Sequence, residues 1–453
     1  MTTTPRTVTA ATATQSAESQ GRWLLVFILS YLALMADGAD VMMYGLTLTR
    51  IKDDFGLSNV QAGALGSLTL LGMAAGGILG GWLSDRVGRV RVVVWALTLF
   101  SLGAGLLGLT HSFLQFAIVR FIGSLGIGCM VLVTTLVAEY VPTERRSLIL
   151  GALQTAISAG YIVVIALSSW ILPHYGWRTL YYVSTVPVVF ALAIKFAVPE
   201  PASWRASRAA DRKSQSESGT QGQSGARLRD GRYAVIFRSR QTRTLFILWT
   251  IASVFILSGF YGLNNWLPTY LERELHIKFS SLTGYMIGTY MVAFIGKIFA
   301  GWLGDRWSRR GVYALGCAGA ALFLPVIIFW HTRENIAALM LFFGFLYGVP
   351  LGTIGTFMSE SFATSIRGTA VGGSYNVGRF CAGAAPIVIG YLATQFSIGF
   401  GFLVVGAVFF LSGVTALFIP DRLYDTGRPS TPQGIVSGTA ASRIGGATSK
   451  NAC

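Results

Sequence analysis

The sequence predicts an all-α membrane protein of twelve transmembrane helices in two pseudo-symmetric six-helix halves. Three observations predict it: charge is scarce, apolar runs longer than a bilayer requires follow one another along the chain, and two landmarks recur with nearly one period. Of 453 residues, 53% are hydrophobic and only 12% charged, against about 25% charged in soluble proteins. Stretches such as Trp23 to Thr49, Phe113 to Ala138 and Asn335 to Met358 are almost free of charge, and each exceeds the roughly 20 residues that cross a hydrocarbon core of about 30 Å.

Apolar runs set against turn and charge clusters give spans at about 23–49, 57–84, 92–110, 113–139, 147–171, 178–198, 243–270, 282–304, 312–330, 335–359, 369–394 and 398–419. With the N-terminus inside, 26 Lys/Arg fall in cytoplasmic segments, six in outside segments and three within the membrane. The positive-inside rule then predicts that both termini are cytoplasmic. The same asymmetry accounts for the net charge of +16 without a nucleic-acid partner.

Residues 1–21 are Thr-, Ala- and Ser-rich, lack the apolar centre of a signal peptide and read as a disordered tail. Residues 22–199 form the first half, 200–242 a polar cytoplasmic linker, 243–420 the second half, and 421–453 another disordered tail. Cys129, Cys317 and Cys381 fall in apolar spans and Cys453 is the last residue, so no extracellular disulfide is expected.

The repeat is the strongest evidence for the architecture. Gly81-Trp-Leu-Ser-Asp85-Arg86-Val-Gly-Arg89 recurs as Gly301-Trp-Leu-Gly-Asp305-Arg306-Trp-Ser-Arg309, an offset of 220. Glu139-Tyr-Val-Pro-Thr-Glu-Arg-Arg146 recurs more loosely as Glu360-Ser-Phe-Ala-Thr-Ser-Ile-Arg367, an offset of 221. Duplicated halves sharing one six-helix topology follow.

The loop between the second and third spans resembles the signature loop of the major facilitator superfamily, and the Arg120 and Glu139 to Arg146 stretches resemble that superfamily's fourth span and following loop. The resemblance covers essentially the whole core. It implies a secondary transporter working by alternating access, multi-pass, in a bacterial inner membrane and functional as a monomer. Asp85, Arg86, Arg89, Glu139, Asp305, Arg306 and Arg309 are expected to form ion pairs that lock the halves together in one conformation and release them in the other. The other reading is static charge that sets topology.

Ionisable groups inside spans are costly and are functional candidates by default. Asp37 lies 14 residues into the first span, about 21 Å, with Asp40 about 5 Å further along the same face. Arg120 lies seven residues from the outer end of the fourth span, about 10 Å down, and Arg379 twelve residues into the eleventh, about 18 Å. Two acids and a base face one base from the other half, which suits an organic anion held by a guanidinium while a carboxylate takes up a proton. A structural pair between Arg120 and an aspartate is the competing reading. Two aspartates within a turn in low dielectric resist simultaneous ionisation. His111, His174, His276 and His331 all fall in outside loops, which leaves the proton to Asp37 and Asp40. Lys297 is expected to snorkel or to pair with Glu360. Tyr44, Asn264, Asn265, Tyr290 and Asn376 are candidate cavity-lining groups.

Asp37-Gly38-Ala39-Asp40 is similar to the Asp-Gly-aromatic-Asp motif of the aromatic acid:proton symporter subgroup, and Asn265-Trp266-Leu267-Pro268 resembles its seventh-span pattern. Ala39 departs from the usual aromatic residue. This resemblance implies import of an aromatic carboxylate, or of a ring-cleavage product such as a muconate or muconolactone, with protons as coupling ion and no other cofactor. A sugar-acid symporter, a drug/proton antiporter and a non-transporting receptor are the alternatives. No His-Glu-x-x-His, Gly-x-Ser-x-Gly or metal-spaced Cys/His set occurs, and Gly296-Lys297 is followed by Ile298 rather than Ser or Thr, so neither an enzyme, nor a metal site, nor a nucleotide loop is expected.

Overall fold

The computed structural model describes residues 23–141, 146–201, 204–205, 234–363, 366–421 and 423. The two tails, apart from residues 421 and 423, and most of the linker expected from the sequence lie outside these.

Among the described residues twelve spans can be traced. The first is Trp23–Phe55, the second Asn59–Val87 and the third Arg89–Leu107. The fourth is Phe113–Cys129 continued by Val131–Tyr140. Arg146–Val183 holds the fifth span and the start of the sixth, which part at Gly176, where φ is 77°; only glycine takes that conformation cheaply. Val188–Ala197 completes the sixth after Pro187, whose missing N–H interrupts the helix ladder. The seventh is Arg240–Thr269, extended by a π-helical turn at Tyr270–Glu274, and the eighth to tenth are Phe279–Arg306, Arg309–Trp330 and Ile336–Glu360. Arg367–Ala382 and Ala385–Gln395, broken just before Pro386, make the eleventh, and Ile398–Leu417 the twelfth.

Packing obeys the duplication. The first span lies on the fifth as the seventh lies on the eleventh, the second on the fourth as the eighth on the tenth, and the third on the fourth as the ninth on the tenth. Between halves, the second meets the eleventh, the fifth meets the eighth, and the first meets the seventh. Small residues permit this closeness. A Cβ on Gly38 would strike the backbone of Ile157, and one on Gly160 that of Met35, so Gly38 seats the fifth span against the first. Gly72, Gly76 and Gly80 likewise face Ser124, Leu125 and Cys129 of the fourth.

The first span is 33 residues long, about 50 Å, more than a hydrocarbon core of about 30 Å requires, and its contacts with the other half gather at the end distal to Trp23. There Thr49 donates to Thr269 at 3.3 Å, Arg50 pairs with Glu272 at 2.6 Å, and Asp53 pairs with Arg273. Gly390 abuts Asn59 at the same end. The halves are therefore joined by these contacts at the end distal to Trp23.

Candidate functional site

The first and fourth spans bring Asp40 and Arg120 together inside the first half. The Arg120 Nη1 lies 2.9 Å from both Asp40 carboxylate oxygens, its Nε donates to Thr69 Oγ1 at 2.9 Å, and the guanidinium sits 5.6 Å from the centre of the Tyr44 ring. Asp40 and Arg120 are 2% and 3% exposed. Each charge thus neutralises the other away from solvent, which is the arrangement a buried ion requires. Tyr44, a candidate cavity-lining group, donates its hydroxyl to the Ala62 carbonyl at 2.5 Å. Of the two readings of Arg120, this geometry matches the structural pair.

Asp37 is placed differently although it is only one turn away. Its Oδ1 has no hydrogen-bond partner among the described residues, nor does Arg379 Nε. The two groups belong to opposite halves, lie within electrostatic reach of each other, and share Tyr261 as a neighbour. The Arg379 guanidinium also lies 5.2 Å from the centre of the Tyr375 ring. No ion pair closes between them among the described residues. An acid and a base from opposite halves therefore each keep unused hydrogen-bonding capacity in the interior, which is expensive unless something satisfies it.

A wall of tyrosines lies within electrostatic reach of Asp37 and Arg379. Tyr290 donates to Asn264 Oδ1 at 2.5 Å, and Asn264 Nδ2 donates to the Tyr347 hydroxyl at 2.7 Å. Tyr161 of the fifth span packs edge-on against Tyr290 of the eighth, with centroids 5.1 Å apart, and is within electrostatic range of Asp37. Asn265 lines a cavity with Tyr44, Thr69, Arg120 and Tyr261. Asn376 donates to its own helix at Gly372 O, 2.9 Å, and its Oδ1 faces Gly77 of the other half. Sequence reasoning named Tyr44 and Tyr290 and missed Tyr161, Tyr261, Tyr347 and Tyr375. The available signal was a phenol in the interior of an apolar span, where its hydroxyl needs a partner.

Lys297 does not pair with Glu360 as expected. Its Nζ donates to Ser158 Oγ of the other half at 2.9 Å, while Glu360 accepts from Arg309 Nε at 2.6 Å. The reason is direction: side chains lean toward their helix N-terminus, which carries the lysine head inward and away from the helix end where Glu360 lies.

In the repeated loops, Arg89 pairs with Glu139, and Arg309 pairs with Glu360 and, at 2.8 Å, with Asp305. The Arg89–Glu139 and Arg309–Glu360 pairs are one arrangement made twice, each pair lying within one half. The Arg86 and Arg306 guanidiniums lie 3.9 and 4.4 Å from the ring centres of Trp82 and Trp302. The Asp85 side chain lies outside the described residues. Two carboxylates were missed. Glu200 accepts from the N–H groups of Arg89, Val90 and Arg91 at 2.9, 3.1 and 3.0 Å, and Asp421 accepts from Arg310 N at 3.3 Å. Each caps the N-terminus of a span, where negative charge is favoured. The signal was Pro199-Glu200 recurring as Pro420-Asp421 at the period of the repeat.

The sequence profile of the Major Facilitator Superfamily matches residues 30–380 and 280–444, and the chain belongs to that family of transporters. It is 49% identical over 405 residues to the cis,cis-muconate transport protein of Acinetobacter baylyi, covering 89% of this chain and 96% of that one. It is 26% identical to the benzoate transport protein of the same organism, covering 94% and 95%. It is 28% identical to the gentisate transporter of Corynebacterium glutamicum, covering 93% and 95%. A crystal structure of a D-xylose-proton symporter superposes with a TM-score of 0.70 at 20% identity, covering 88% of this chain and 98% of that chain, which shows the shared fold.

Proposed function

We propose that the protein is a proton-coupled symporter that imports an organic acid across a bacterial inner membrane by alternating access, with cis,cis-muconate, for which the 49% identical relative is named, the leading substrate. The observation that carries this reading is Asp37 facing Arg379 across the two halves, each with an unpartnered polar atom. An anion leaving water needs a cation already in place, and a guanidinium fork matches a carboxylate better than a point charge does. While Asp37 is ionised it offsets Arg379. Protonation of Asp37 frees that positive charge for the substrate carboxylate, so proton and anion load together. After the anion leaves, loss of the proton restores the acid and base to each other and the empty carrier returns.

The excess of Lys and Arg in the loops at the end where the first span begins supports placing that end, with both termini, in the cytoplasm. On that placement the ion pairs of the first and seventh spans lie on the outer side. The within-half pairs of Arg89 and Arg309 then keep neighbouring spans moving as rigid units while the halves rock, as carriers built from repeats do. The test is uptake of labelled muconate by proteoliposomes under an imposed inward proton gradient. Accumulation that a protonophore abolishes supports the reading; equal uptake with and without the gradient overturns symport.

A further inference from the structure

Lys297 is a cation inside the bundle with no acid paired to it among the described residues. Its described partner is a neutral hydroxyl, Ser158 Oγ, at 2.9 Å, which uses one of its three donors. The carboxylate nearest to hand in sequence expectation, Glu360, is held by Arg309. Lys297 stands two turns from Tyr290 on the same face of the eighth span. Ser158 stands one turn from Tyr161 on the fifth, and Tyr161 and Tyr290 touch. The lysine head therefore lies beside the tyrosine wall, and that wall leads through Tyr161 to Asp37 and on to Arg379.

Charge decides what such a site accepts. Asp40 and Arg120 cancel. Asp37, Arg379 and Lys297 remain, and once Asp37 is protonated two interior cations are left with no anion among the described residues to balance them. A monocarboxylate would leave one cation uncompensated in low dielectric, which costs several kcal/mol. A dicarboxylate dianion satisfies both.

Resting on the organic-acid reading of this site, we propose that Lys297 is a second anchoring residue, holding the far carboxylate of a dicarboxylate whose near carboxylate is held by Arg379, and that it sets a preference for dianions over monoanions.

The test measures equilibrium binding to the purified full-length protein with two probes, cis,cis-muconate and its monomethyl ester, which share a carbon skeleton and differ by one charge. The unaltered protein is expected to prefer the dianion. Lys297→Gln, which keeps a donor for Ser158, is expected to weaken dianion binding by about 100-fold while leaving the monoester unchanged, and Lys297→Arg is expected to retain most of the preference. Equal losses for both probes, or no loss for either, would overturn the proposal. If Lys297→Gln does not insert, the unaltered protein decides alone: monoester binding as tight as dianion binding overturns the second anchor. Binding of neither probe by the unaltered protein overturns the organic-acid reading itself, whereas dianion binding that survives in Lys297→Gln overturns only the role of Lys297.

Discussion

Thr49 donates a hydrogen bond to Thr269 at 3.3 Å, and the two residues are 220 positions apart, the period of the sequence repeat. Equivalent residues of two related halves touch only where the pseudo-twofold axis passes between them. Asp53 and Arg273 are separated by the same 220 and form an ion pair beside it, with Arg50 and Glu272 adjacent. The distal closure is therefore built on the symmetry axis, where small changes in the tilt of either half separate the most contacts.

Locking that contact should arrest the cycle. In a Thr49→Cys/Thr269→Cys protein, mild oxidation is expected to abolish uptake and a reductant to restore it, because the first and seventh spans must part for the distal side to open. Substrate binding to the oxidised protein in detergent should persist. Full uptake by protein shown to be cross-linked would refute the closure as a moving part.

Asp37 and Asp40, one turn apart, should behave differently on neutralisation. Asp37→Asn leaves the carrier unable to release a proton and is expected to abolish proton-driven accumulation while sparing exchange of internal for external substrate. Asp40→Asn orphans Arg120, which is 3% exposed, and should cost about 3–5 kcal/mol of stability. The double variant Asp40→Asn/Arg120→Gln should recover most of that loss. Thermal unfolding in detergent and counterflow in proteoliposomes separate the two effects; a stable Asp40→Asn protein that has lost only coupling would exchange these roles.

The span count and the duplicated halves were legible because each follows from a one-dimensional signal: apolar run length and repeat period. Partnership was not. Asp37 and Asp40 share a helix face, yet one meets Arg120 and the other faces Arg379, a difference set by which spans pack on which side. The direction of the Lys297 side chain and the confinement of the Arg89 and Arg309 pairs to single halves are equally three-dimensional facts. The capping acids were different. Pro199-Glu200 and Pro420-Asp421 repeat at the same period as the loops and were readable from the start.

Those caps give a test of the duplication itself. Glu200→Gln removes the charge that accepts from three successive N–H groups of the third span, and Asp421→Asn does the same at the ninth. Each should lower stability by about 1 kcal/mol, the first more than the second because it loses more bonds. The losses should add, since the caps lie in separate halves. Chemical unfolding in mixed micelles measures this, and a strongly non-additive double variant would show that the two ends are coupled.

Arg379 offers the sharpest separation of charge from shape. Its guanidinium rests against Tyr375 and presents an Nε without a partner, a planar donor group of the kind that meets a carboxylate. Arg379→Lys preserves the charge and loses the fork, and it is expected to weaken substrate binding by roughly tenfold or more. Arg379→Ala should weaken it further, by removing the guanidinium charge within electrostatic reach of Asp37. Because Asp37 would then keep no counter-charge, the Ala variant should also bind substrate with a weaker dependence on pH than the unaltered protein. Binding isotherms at several pH values check both statements. An unchanged affinity in a folded Arg379→Lys protein would assign Arg379 to packing against Tyr375 and return the substrate carboxylate to another cation, of which Lys297 is the nearest candidate.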